Sequence, residues 1–274
     1  MAEKNIQQSY WSFFIGSPAI VWQILFFYIP LLTIVLSTFR YGIANAFTPF
    51  LSSVYFVVFL KTTFLAVATT FLCLVIAYPV AYWLAFRVHK WKSLFLFFLF
   101  IPFWSNFLLH VYAWMFVLER NGILNTFLQN MGVISEPLSL LNTSLAVMIL
   151  MVYCYLPFML LPLYSTIESL DRDLIEAASD LGATRWQAIK QIIWPLSLPG
   201  IRSGVFLVFV PAFGEFAIPE LVGGDKTMYV GSVISHFTLS SHSTSLGSAF
   251  TLLSSIIALV LVGSLSYLLQ NRRG

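Results

Sequence analysis

The sequence predicts an all-α membrane protein of about six spans, and three observations carry that expectation. First, of 274 residues 59% are hydrophobic and only 9% are charged. Soluble domains carry roughly 25% charged residues. Second, the apolar residues fall into runs long enough to span a membrane, since a transmembrane helix needs about 20 of them. Third, the Lys and Arg residues are unevenly shared between alternate loops. The net charge of +3 is small; in such a chain it bears on orientation and gives no reason to expect a nucleic-acid partner.

Taken in order, the expected spans are residues 13–38, 62–86, 93–118, 145–167, 199–219 and 247–269. The first follows Lys4 and runs to Arg40 without a charge. It is too long for a signal-peptide core and lacks a small-residue cleavage pattern after it. Six spans put both termini on one side. With that side cytoplasmic, Lys4, Arg87, Lys90, Lys92, Arg172, Arg185, Lys190, Arg202, Arg272 and Arg273 are inside, and only Arg40, Lys61, Arg120 and Lys226 are outside. That asymmetry follows the positive-inside rule. Residues 1–274 are read as a single transmembrane domain.

Within the outer loops, Leu124, Phe127, Leu128 and Met131 repeat at helical spacing, which predicts a short helix on the outer membrane surface. Pro30, Pro79, Pro102, Pro157, Pro162 and Pro211 fall inside spans, where neighbouring helices can satisfy the freed carbonyls. They favour kinked helices around a pathway over a plain anchor. Cys73 and Cys154 both lie in apolar runs and read as packing residues. No zinc site, other metal cluster or nucleophile–base pair is evident.

Residues 168–198 are the exception to the apolar pattern. The stretch from Glu168 to Pro195 holds eight of the 25 charged residues. Asp171 is placed to cap a helix whose first turn holds Asp173. Leu174, Ala177, Ala178 and Leu181 form one apolar face, with Glu176 and Asp180 on another. Gly182 is expected to end this helix. Thr184 and Gln187 form a capping box for a second one, whose apolar face is Trp186, Ile189, Ile192 and Ile193 and which Pro195 is expected to close. Read by caps and periodicity alone, this is a helix–turn–helix on the cytoplasmic face, compatible with a loop that only decorates the surface.

The string Glu176-Ala177-Ala178, three residues, Gly182, nine residues, Ile192, one residue, Trp194-Pro195 resembles the EAA loop of ABC importer permeases. Trp194 stands where that family has Leu and keeps a bulky apolar group there. The resemblance implies the type I ABC importer permease fold. It also implies that residues 168–198 form a cytoplasmic coupling loop, with Glu176, Ala177, Ala178, Gly182, Ile192 and Pro195 as the residues that couple to a separate ATPase. Glu176 would pair with a basic residue of that ATPase, the two alanines would allow close docking, and Gly182 would make the turn.

Four further strings resemble the spermidine/putrescine branch of the family. They are Ile101–Asn106, Leu161–Glu168, Pro195–Ile201 and Pro211–Gly224, and the likeness covers most of residues 78–224. The partners this implies are a second, related permease subunit, two cytoplasmic ATPase subunits, a periplasmic polyamine-binding protein and the bilayer of a bacterial inner membrane. No cofactor is expected on this chain itself; ATP and magnesium would sit on the ATPase. The stretch Gly223-Gly224-Asp225-Lys226-Thr227 has the wrong spacing for a P-loop.

Glu215 is the sharpest candidate for the substrate pathway. It lies about 20 Å beyond Arg202 at about 1.5 Å per residue, near the outer end of the fifth span. An acid in a span is a functional candidate by default, and polyamines are multiply cationic. The alternatives are a pairing with a neighbouring subunit or a place in interfacial water. Glu220 and Asp225 follow in the same outer segment, where a solvated loop or a binding-protein contact is the competing reading. Trp104, Tyr112, Trp114, Tyr153 and Tyr155 are candidates for cation–π contacts, although aromatics also anchor at interfaces. His110 calls for a hydrogen bond to a neighbouring helix. Other solutes of the same transporter class (an amino acid, sulfate, ferric iron) are the first alternative, and an ion-coupled secondary transporter the second.

Overall fold

The computed structural model describes residues 17–42, 52–88, 90–104, 106–224, 228–240 and 244–270. Every regular element among them is helical, as expected. The chain divides into two units, residues 1–55 with 234–256 and residues 56–233 with 257–274.

Among the described residues, five helices are long and apolar enough to cross a membrane. They are α1 (Ser17–Arg40), α2 (Ser53–Phe86), α6 (Ser144–Glu168), α8 (Arg185–Gly214) and, within α10 (Thr244–Gln270), the stretch Ser245–Leu265. The chain is thus a multi-pass membrane protein. The expected span 93–118 is built differently, from α3 (Lys92–Trp104) and α4 (Phe107–Leu118). Asn106 has an extended backbone, and its side chain accepts a hydrogen bond from the Leu108 amide at 2.9 Å. A side chain that caps so well starts a new helix inside an apolar run.

Two other boundaries move. The second helix begins at Ser53, not near Thr62, and carries Lys61 within it. The fifth runs unbroken from Arg185 to Gly214, so Pro195 does not close a separate short helix. A proline lacks an N–H, and its ring crowds the carbonyl four residues back. The chain absorbs this by widening the turn Ile189–Ile193, where the Trp194 amide donates to the Ile189 carbonyl. A widened turn at Ile24–Tyr28 stands in the same relation to Pro30.

The short helix expected from Leu124, Phe127, Leu128 and Met131 is present as α5 (Ile123–Asn130). It is held by Asn125, 1% exposed, whose amide donates to the carbonyls of Glu119 and Leu138 and whose oxygen accepts from the Leu138 amide. A buried amide with its donors and acceptor used fixes a loop more firmly than an apolar contact could.

Helices α6 and α8 pack most extensively on each other. Two glycines one helical turn apart let their backbones meet. A Cβ on Gly200 would lie 2.6 Å from Thr166 Oγ1 and 2.7 Å from the Pro162 carbonyl; one on Gly204 would lie 2.6 Å from Met159 Sδ. Small residues at this spacing are how membrane helices approach closely without a hydrophobic driving force. Around the seam Leu150, Met151, Leu163 and Ile167 of α6, and Ile201, Val208 and Phe209 of α8, are fully buried. The Val230 amide, at the start of α9 (Val230–Ser235), donates to Thr62 Oγ1 of α2 at 2.9 Å. In the other unit the rings of Tyr55, Phe237 and Phe250 cluster with centroids 5.5–6.2 Å apart.

Candidate functional site

The polar island forms α7 (Arg172–Asp180), a glycine turn and the start of α8. Its local sequence dictates each feature. The Asp171 side chain accepts from the Asp173 amide at 3.1 Å, and Asp173 sits in the first turn, where the helix dipole favours an anion. At the far end the Gly182 amide donates to the Ser179 carbonyl and the Ala183 amide to the Ala178 carbonyl, both at 3.0 Å. This is the paired closure of a helix C-terminus that needs a left-handed residue, and Gly182 supplies it with φ +83°. The capping box then forms as expected. The Gln187 amide donates to Thr184 Oγ1, and the Thr184 amide to Gln187 Oε1 at 2.7 Å.

α7 buries none of its residues. Glu176 and Ala177 are exposed and Ala178 is half-buried. Leu174 is 49% exposed, Leu181 89% and Trp186 71%. α7 is thus an amphipathic helix capped at both ends whose apolar residues are largely uncovered. Ile192 is half-buried in the widened turn, and Pro195 is exposed at the start of the apolar part of α8. The six residues therefore span the island and its junction with a membrane helix.

Glu215 lies where α8 ends. Its backbone is extended, and its Oε1 accepts from the amides of Ala217 at 2.9 Å and Ile218 at 3.4 Å. Glu215 thus caps the short helical segment that follows, which ends in a widened turn at Pro219–Gly223. Its Oε2 accepts from the Tyr155 hydroxyl of α6 at 2.6 Å. The side chain is half-buried. Three donors hold the carboxylate at a break between two helical segments, an internal pairing that sequence reasoning missed.

The other candidates separate. Tyr153 points to a different neighbour from Tyr155: its hydroxyl is 3.2 Å from His110 Nδ1 of α4, and its ring meets Trp114 edge-on at 5.3 Å. His110 thus has the interhelical hydrogen bond that its place in a span demands. Trp104 is the last residue of α3, and its side chain lies outside the described part of the structure. Glu220 is exposed in the turn beyond Glu215. Asp225 lies outside the described residues. Among the described residues there is no cluster of His, Cys, Asp or Glu able to hold a metal ion.

Residues 74–273 match the family described as "Binding-protein-dependent transport system inner membrane component". The chain is 42% identical over 224 residues to the spermidine/putrescine transport system permease protein PotB of Escherichia coli (strain K12), covering 78% of this chain and 81% of that one. Against the Haemophilus influenzae protein of the same name the identity is 44% over 194 residues, covering 70% and 68%. The fold is shared with a chain of a bacterial alginate ABC transporter, solved in complex with an alginate pentasaccharide-bound periplasmic protein. The TM-score is 0.77 at 19% identity, over 94% of this chain and 93% of that one.

Proposed function

The chain belongs to the binding-protein-dependent transport system inner membrane components, and from that premise we propose that it is a permease subunit of an ATP-driven importer of polyamines, spermidine and putrescine. Permeases of this family move solutes and do no bond chemistry of their own, so ATP with its magnesium is bound and hydrolysed by separate subunits. The observation that carries the substrate reading is the identity of 42–44% to spermidine/putrescine permeases over most of the chain.

The functional complex pairs this chain with a second, related permease in a bacterial inner membrane. Residues 1–274 act as one transmembrane domain with both termini in the cytoplasm. Two ATPase copies dock on the coupling loops, and a periplasmic polyamine-binding protein delivers substrate to the outer mouth. In this chain the loop is the island of residues 168–198. Glu176 meets a basic residue of the ATPase, and Ala177 and Ala178 let its surface approach.

The geometry supports a lever. The island joins α6 to α8, and those two helices are locked together by the Gly200 and Gly204 contacts near the island and by the Tyr155–Glu215 hydrogen bond, which joins the end of α8 to the middle of α6. A displacement of α7 is therefore handed to the hairpin as a rigid-body motion. ATP-driven closure of the ATPases turns the paired spans from inward-facing to outward-facing, and hydrolysis resets them. Glu215 stands at the end of α8 beside the middle of α6, where its carboxylate would meet a cation in the pathway. Glu220 and Asp225 lie in the adjoining outer segment, and Trp104 and Tyr153 supply aromatic faces for ammonium groups.

The test is uptake of labelled spermidine and putrescine by vesicles holding the full complex, with binding protein outside and ATP inside. ATP-dependent accumulation of either polyamine is expected. Accumulation of another solute instead would refute the substrate reading, and uptake without ATP would refute the importer reading.

A further inference from the structure

Four groups from four elements converge at the base of the coupling helix, none of them among the six residues given a coupling role above. Ala85 lies in the last turn of α2, where carbonyls have no partner within the helix. Its carbonyl oxygen accepts from Lys92 Nζ at 3.2 Å and from Arg172 Nη2 at 3.3 Å. Lys92 is the first residue of α3 and Arg172 the first of α7. Lys92 also forms an ion pair with Glu168, the last residue of α6. Their side chains are 18% and 35% exposed.

Two cations on one carbonyl repel each other. They are held together because the C-terminal end of α2 is the negative pole of a 34-residue helix and because Glu168 balances one of them. Removing either charge of the pair unbalances the group. The arrangement ties the island at its first helical residue to the α2–α3 hairpin, while the chain itself ties the island only to α6 and α8.

We propose that Lys92, Glu168 and Arg172 are positioning residues for coupling: they fasten the start of α7 to the ends of α2, α3 and α6, so that a push on the island moves the α2–α3 hairpin along with the α6–α8 lever. The proposal rests on the reading of the island as the coupling loop. Without the fastening, α7 still docks and the ATPases still turn over, but part of the displacement is lost between α7 and the hairpin. The effect is therefore on transport per ATP, whereas a residue that served folding alone would change the amount of assembled complex.

The experiment measures polyamine uptake and ATP hydrolysis together in vesicles containing the complete complex, for Lys92→Met, Lys92→Arg, Glu168→Gln, Arg172→Met and the Lys92→Met/Glu168→Gln double variant. Assembly is checked by co-purification of all subunits. Transport per ATP should fall about two- to fivefold in Lys92→Met, Glu168→Gln and Arg172→Met, the range for a partly exposed charge pair. Lys92→Arg should retain it, and the double variant should be no worse than the poorer single, because both break one link. An unchanged ratio in assembled Lys92→Met and Glu168→Gln complexes would overturn the proposal. Loss of assembled complex in all the non-conservative variants would also overturn it and assign the group to folding. The coupling reading fails separately, if Glu176→Ala and Gly182→Pro both transport normally.

Discussion

Glu215 is asked to do two things, to cap a helical segment and to present a charge, and substitutions can separate them. Glu215→Gln keeps an oxygen for the Ala217 and Ile218 amides but removes the charge. Glu215→Ala removes both. Loss of a cap costs about 0.5–2 kcal/mol. An interhelical hydrogen bond in a membrane averages about 0.6 kcal/mol, with a maximum of about 1.7. Glu215→Ala should therefore destabilise by about 1–4 kcal/mol, Tyr155→Phe by about 0.6–1.7, and Glu215→Gln by at most about 1. Uptake should rank differently. A cation 4 Å from a carboxylate gains about 4 kcal/mol at an effective dielectric near 20, and even a third of that, about 1.4 kcal/mol, is tenfold in kcat/KM. Glu215→Gln should accordingly lose at least about tenfold in kcat/KM for spermidine while its unfolding midpoint in detergent hardly moves. Tyr155→Phe should show the opposite bias. Unchanged uptake in Glu215→Gln would remove the charge from the pathway and leave Glu215 a cap. Unchanged stability in Glu215→Ala would refute the capping role.

Two further outcomes concern the lever and its surroundings. Gly200→Ala places a methyl 2.7 Å from the Pro162 carbonyl, which can yield only if α6 shifts; it should cost about 1–3 kcal/mol in equilibrium unfolding, whereas Gly263→Ala, with nothing within 4 Å, should be neutral. Asn125→Ala strands the Leu138 amide and carbonyl, while the Glu119 carbonyl keeps the Gly122 amide; it should lower stability by about 2–4 kcal/mol, read as protease sensitivity of the segment 119–140 at a temperature where the parent resists.

The legible parts of this chain are those governed by neighbours in sequence. Asp171, Gly182 and the Thr184–Gln187 pair act within four residues, so the island could be read in detail, and the apolar runs placed the spans. Three things misled. Lys61 marked a span end, yet α2 continues nine residues before Thr62, because a helix of 34 residues extends about 51 Å and outruns a hydrocarbon core of about 30 Å. Pro195 read as a stop, but a widened turn absorbs the proline without ending the helix. The third span read as continuous, although the polar pair Ser105-Asn106 was the available signal for the start of a new helix at Phe107. The Tyr155–Glu215 and Lys92–Glu168 partnerships join residues 60 and 76 apart. No local rule pairs them; only the packing of α6 against α8, and of α3 near the end of α6, brings them together.

The central claim is that the island couples this permease to an ATPase, and the most direct measurement is polyamine uptake with Glu176→Ala and, separately, Gly182→Pro. Gly182 stands at φ +83° and donates to the Ser179 carbonyl; proline forbids both, so α7 loses its fixed end. Both variants should insert into the membrane at normal levels and abolish ATP-driven uptake. Full uptake by both would contradict the claim.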